Sequence, residues 1–144
     1  MIDFKKKLDS IKDFIEKTYP KHLEAFGLKG PFVTTEFLDF DKFKSDFSLF
    51  IEFDRVTFSS PYADDCKGVA KIFCDVFLAF RNDTIANLDE KLMNASSAFY
   101  EMFGDERIPI ADGITIQEAN FFKYVEGNKH LVASKFSMEF DIRF

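Results

Sequence analysis

The stretch Leu131-Val132-Ala133-Ser134-Lys135-Phe136-Ser137-Met138-Glu139-Phe140-Asp141-Ile142-Arg143-Phe144 alternates throughout. Val132, Ser134, Phe136, Met138, Phe140, Ile142 and Phe144 fall on one side. Leu131, Ala133, Lys135, Ser137, Glu139, Asp141 and Arg143 fall on the other. A period of two with one apolar side predicts a half-buried β-strand that runs to the last residue. Glu126-Gly127-Asn128-Lys129 ahead of it is turn chemistry, and residues 114–125 read as another strand. There Ile114, Ile116, Phe122 and Tyr124 are placed on one side, with Thr115, Gln117, Phe121 and Val125 opposite. Residues 113–144 therefore form a long β-hairpin.

Upstream, a stripe of Ile85, Leu88, Leu92, Ala95, Phe99 and Met102 predicts a helix over 84–103. Asn82, Asp83 or Thr84 caps it and Gly104 stops it. A strand over 68–81 precedes that helix. Ala70, Ile72, Cys74, Val76, Leu78 and Phe80 point one way, and Val69, Lys71, Phe73, Asp75, Phe77 and Ala79 the other. The second side is half apolar, as in a central strand or one covered by a neighbouring subunit. Residues 59–67, Ser-Ser-Pro-Tyr-Ala-Asp-Asp-Cys-Lys, read as a loop or hairpin tip. A strand from Phe47 to about Phe58 puts Phe47, Leu49, Ile51 and Phe53 on one face, with Ser48, Phe50, Glu52 and Asp54 opposite.

Residues 32–40 read as the first strand and 41–46 as a turn, and so short a connection predicts an antiparallel pair. The chain opens on an amphipathic helix over 3–18, with Asp3 as cap and Phe4, Leu8, Ile11 and Ile15 at helical spacing. Tyr19-Pro20 is expected to end or kink it, with a short turn over 21–26 to follow. The order is α-β-β-β-α-β-β. That predicts one α+β domain: a mainly antiparallel sheet with both helices packed on one face.

Composition narrows the function classes. The 144 residues are 47% hydrophobic and 31% charged, which is folded rather than disordered. The net charge of −6 disfavours binding to nucleic-acid phosphates and to anionic membranes. Of 21 Phe, several are expected at the surface, where a patch of them marks a protein partner; codon bias in an AT-rich genome also raises Phe. Cys66 and Cys74 lie too far apart along extended chain to bridge, and unpaired thiols suit a reducing compartment. Met1-Ile2-Asp3-Phe4-Lys5-Lys6-Lys7 holds no apolar signal core, so cytoplasmic synthesis is expected.

Catalytic signatures are not expected. His22 and His130 have no His or Cys at ligand spacing, and no cofactor or metal is predicted. The glycines are dispersed and cradle no phosphate. Acid pairs occur at Asp39/Asp41, Asp64/Asp65 and Asp105/Glu106, but a cation needs more oxygen ligands than any one pair supplies. An enzyme working through Asp64 or Glu52 is the weakest reading. A small-ligand module with a Phe-lined pocket is the stronger alternative.

The chain also resembles the tail-terminator and neck proteins of tailed bacteriophages and prophages, a group that includes tail-completion and minor tail proteins. The resemblance is carried by four stretches. Gly30-Pro31-Phe32-Val33-Thr34-Thr35-Glu36-Phe37 follows the N-terminal helix. A long hairpin comes next, with 59–67 at its tip. Ala70-Lys71-Ile72-Phe73-Cys74-Asp75-Val76-Phe77 runs into the capped helix. Ile114-Thr115-Ile116 leads through Tyr124 to the final strand.

The resemblance implies a non-enzymatic structural protein of the virion tail that partners with itself, in a ring that is often hexameric, and with tail-tube or head-connector proteins. DNA passes such a ring's acidic lumen without specific binding, and no membrane is involved. On this reading the subunit or partner contacts are Pro61, Tyr62, Asp64 and Asp65 at the hairpin tip, Phe73 and Phe77 on the central strand, and Glu139, Asp141 and Arg143 on the last strand.

Overall fold

A computed structural model of the chain describes residues 3–35, 45–58, 69–105, 111, 113–126 and 129–143. It holds two helices and one five-stranded sheet in the order α-β-β-β-α-β-β. These are α1 (Phe4–Glu24), β1 (Phe32–Thr34), β2 (Phe47–Phe58), β3 (Val69–Arg81), α2 (Ile85–Asp105), β4 (Gly113–Glu126) and β5 (Lys129–Arg143). Side by side the strands run β1-β2-β3-β5-β4. β3 is the middle strand, antiparallel to both β2 and β5.

The expected α+β class and helix placement hold; four local expectations do not. First, α1 does not end at Pro20 but continues to Glu24. An interior proline costs roughly 3 kcal/mol, yet Ile11, Ile15, Tyr19 and Leu23 form one stripe, each 2% exposed or less. Burying Tyr19 and Leu23 together offsets that cost. Gly27, at φ 69°, then reverses the chain, and the Leu28 N–H returns to the Leu23 carbonyl at 3.1 Å.

Second, β1 pairs with β2 in parallel, Phe32 opposite Ser48 and Thr34 opposite Phe50. The antiparallel expectation rested on a strand reaching Phe40. With β1 ending at Thr34, residues 35–46 intervene, and a connection of about a dozen is enough to carry the chain back for a parallel start. Residues 36–44, including most of the expected turn over 41–46, lie outside the described set.

Third, both outer hairpins carry a bulge. One falls between Phe53 and Arg55, the other between Ile116 and Glu118. An extra residue reverses the facing of all that follows. Ile114 and Ile116 face the helices, as do Ala119 and Phe121. Phe122 and Tyr124, placed beside Ile114 by simple alternation, face the other way. Fourth, Gly104 does not stop α2, which runs to Asp105.

The core lies between the helices and one sheet face. Leu49 and Ile51 of β2, Ile72, Val76 and Leu78 of β3, and Val132, Phe136 and Phe140 of β5 are nearly or wholly buried. Against them pack Leu88, Leu92, Ala95, Phe99 and Met102 of α2. Aromatic rings tie the layers together: Phe99 meets Phe136 at 4.8 Å, Phe103 meets Phe140 at 6.4 Å, and Tyr19 meets Phe99 edge-on at 5.6 Å.

Two buried hydroxyl contacts join the helices to each other and to the sheet. The Tyr19 hydroxyl donates to the Ala95 carbonyl at 2.6 Å, and Ser96 and Ser134 share a hydrogen bond at 3.0 Å between α2 and β5. Cys74 sits in this layer at 1% exposure, and burial, followed by the neighbouring Asp75 charge, pushes its thiol up to about 12.

Candidate functional site

Alternation sends every second residue of the sheet to the face away from the helices. No described element of the chain packs over that face. The strand register arranges it in rows. Arg55, Phe73, Glu139 and Thr115 lie side by side. So do Glu52, Asp75, Ser137 and Glu118, then Phe50, Phe77, Lys135 and Asn120. A further row, Ser48, Ala79, Ala133 and Phe122, is floored by small side chains. Ser48, Ala79 and Ala133 are each under 5% exposed. Exposed Phe32 stands beside Ser48 at one end of the row, and exposed Phe122 is at the other.

Aromatic rings and paired charges alternate on this face. The Arg55 guanidinium lies 4.0 Å above the Phe73 ring, and the Lys135 ammonium lies 6.0 Å from that of Phe77. Phe77 also contacts Phe50, with centroids 5.8 Å apart. Lys71 pairs with Glu139 at 2.8 Å, and Lys135 with Asp75 at 3.8 Å. The Gln117 amide donates to the second Glu139 oxygen at 3.1 Å. The hydrogen bond that Lys71 donates to Glu139, with the charges of Glu139 and Asp141, holds its ammonium above its ordinary pKa. Asp141 lies against Gly113, where an added Cβ would come within 3.3 Å of its carboxylate.

Of the nine contact residues expected from the sequence, four are brought together here: Phe73, Phe77, Glu139 and Asp141. Arg143 is in β5, opposite Val69 of β3, and its side chain is outside the description. Pro61, Tyr62, Asp64 and Asp65 lie outside the described residues, as does Cys66. Lys135, on the charged side of the last strand, was expected beside Glu139 and Asp141; Phe50, Arg55, Lys71 and Asp75 were not singled out. Phe50 was already legible on the polar side of its strand. Arg55 reaches Phe73 only because the bulge turns it there.

Elsewhere the chemistry is structural. The His130 ring stands 3.3 Å from the Asp83 carbonyl, and among the described residues no three His, Cys, Asp or Glu side chains gather as metal ligands. Asp83 accepts from the Thr84 N–H and the Asn87 amide, and pairs with Lys91 at 2.9 Å. Those contacts, Lys91 first, hold its carboxyl down at about 2. An open groove of about 390 Å³ lies at the end of β2 and β3, bordered by Lys29, Asp46, Arg81 and Lys91. No described helix is long and apolar enough to cross a membrane.

No protein-family model matches the chain. No curated protein sequence matches it.

Proposed function

We propose that the chain is a non-enzymatic structural protein that works by assembling with copies of itself, as the ring-forming tail-terminator and neck proteins of phages and prophages do where they cap the tail tube and join it to the head. One observation carries this reading. The central strand β3 presents Phe73 and Phe77 on a face that no described element of its own chain covers.

Part of the charge on that face is already matched, Lys71 to Glu139 and Asp75 to Lys135, so a neighbour would cover these as ion pairs. Glu52 and Glu118, in the same row as Asp75, call for basic groups on that neighbour. The net charge of −6 agrees with a lumen that lets DNA slide.

A Phe-lined ligand pocket fits the geometry less well. The inward Phe99, Phe136 and Phe140 contact one another or other core side chains. Phe47 and Phe80 line the groove at the sheet end, but they stack on each other and are under 10% exposed, and Lys29, Asp46, Arg81 and Lys91 share its rim.

The test is assembly on a purified tail tube, viewed by electron microscopy. The wild-type chain is expected to form rings on the tube ends. Phe77→Asp is expected to abolish them while melting close to the wild-type temperature. A wild-type chain that leaves tube ends bare at high concentration would overturn the reading.

A further inference from the structure

The described Lys and Arg side chains outside α1 divide into two groups. Arg55 pairs with Asp54 at 2.6 Å, Lys71 with Glu139 at 2.8 Å, Lys91 with Asp83 at 2.9 Å, Lys123 with Asp89 at 2.8 Å and Lys135 with Asp75 at 3.8 Å. Lys29 and Arg81 pair with no carboxylate among the described residues. Both line the same groove, the open one of about 390 Å³ at the end of β2 and β3.

Local structure brings them there from separate parts of the chain. Gly27, at φ 69°, turns the chain out of α1 and delivers Leu28, Lys29 and Gly30 to the groove. Arg81 ends β3. Its N–H donates to the Asp46 carbonyl at 3.0 Å, and its Nε donates to the Ser45 carbonyl at 3.2 Å. The guanidinium is thus anchored through Nε, and its terminal amino groups have no partner among the described residues. Lys91 of α2, held by Asp83, adds a third cation to the lining.

These charges run against the balance of the molecule. The chain carries −6, yet the lining holds Lys29, Arg81 and Lys91 against Asp46 alone. A positive surplus remains when Asp83, the partner of Lys91, is counted. The Asp46 carboxylate accepts from the Asn82 amide at 2.7 Å, and among the described residues it pairs with neither Lys29 nor Arg81. Phe47 and Phe80 stack at 4.0 Å and are buried, so what the groove offers a ligand is charge.

We propose that this groove binds a small molecule through an oxyanion, a carboxylate or a phosphate group, with Arg81 and Lys29 as its counter-charges. A guanidinium presents a planar fork that meets either group with two parallel hydrogen bonds, and an ammonium adds a point charge. A bound oxyanion also relieves the repulsion among cations that the chain itself leaves unbalanced. The groove's volume lies in the range of small-molecule sites.

This inference stands apart from the self-assembly reading, since Phe73 and Phe77 are not in the lining. Nuclear magnetic resonance titration of the full chain at constant ionic strength, with inorganic phosphate and with acetate, tests it. Saturable shifts are expected at the amides of Lys29, Asp46 and Arg81 with at least one of the two anions, and the tighter binder identifies the group. Lys29→Gln/Arg81→Gln is expected to weaken that binding at least about tenfold. Lys29→Gln alone, at an exposed position that leaves β3 untouched, is expected to weaken it by a smaller factor. Lys17→Gln, exposed on α1, should bind as the wild type does. Absence of saturation with both anions, or an equal loss in Lys17→Gln, would overturn the proposal.

Discussion

On β3, Val76 and Phe77 are neighbours in the chain and opposites in circumstance. Val76 is wholly buried, opposite Ile51 on one side and Phe136 on the other, beneath α2. Phe77 is larger and more costly to leave in water, yet among the described residues its ring partners are Phe50 and the Lys135 ammonium. The contrast extends across the whole sheet. One face closes with interlocking rings and buried hydroxyls, the other with cations over rings and ion pairs. The first arrangement stabilises the monomer. The second leaves a large apolar side chain half covered and is the arrangement expected of a surface awaiting a neighbour.

The comparison can be broken most severely from the C-terminal end. Removing residues 140–144 takes Phe140 and Ile142 from the helix face, along with their pairing to Ile72 and Ala70. The truncated chain is expected to lose cooperative unfolding altogether. A thermal melt that matches the full-length chain would mean that the last strand contributes far less than its burial implies.

A gentler pair of changes measures each face separately. Phe99→Ala, at a site touching Tyr19, Phe103 and Phe136, should cost about 3–5 kcal/mol. Phe77→Ala should cost about 1 kcal/mol in the monomer. Urea titration of both variants reads the difference directly. Equal losses would erase the distinction between the faces.

The smallest effect lies where β3 turns into α2. The Asp83 carboxyl is held at about 2, below the ordinary value of about 3.9, so its contribution to stability is complete above about pH 3.9 and is lost as pH falls through about 2. Asp83→Asn lacks that contribution at neutral pH. The stability gap between wild type and variant should therefore close as the solution is acidified through this window. A gap that stays constant with pH would show that the contacts to Lys91, Asn87 and Thr84 do not depend on the charge.

Much of this fold was legible because period-two and helical stripes are local. The alternation of β5, the two faces of β3 and the stripe on α2 all depend on residues a few positions apart. That is also why Phe73 and Phe77 could be placed on one side of β3, and Glu139 and Asp141 on one side of β5, before the sheet was known. What was not legible depends on distant partners. The direction of β1 is set by β2 and by the length of chain between them, not by Phe32-Val33-Thr34 itself. Helix α1 passes Pro20 because Tyr19 finds the Ala95 carbonyl, 76 positions along the chain. The bulge before Glu118 is a mismatch of two strands, and it decides which face Phe121 takes and which Phe122 takes.

Cys74 has a consequence for kinetics. Its thiol is 1% exposed beneath the helix layer, and at a pKa of about 12 almost none of it is thiolate at neutral pH. Alkylating reagents therefore reach it only in molecules whose helices have lifted from the sheet. With Cys66 replaced by Ser, the rate of Cys74 labelling would report how often that layer opens, one molecule at a time, without any probe being added to the core.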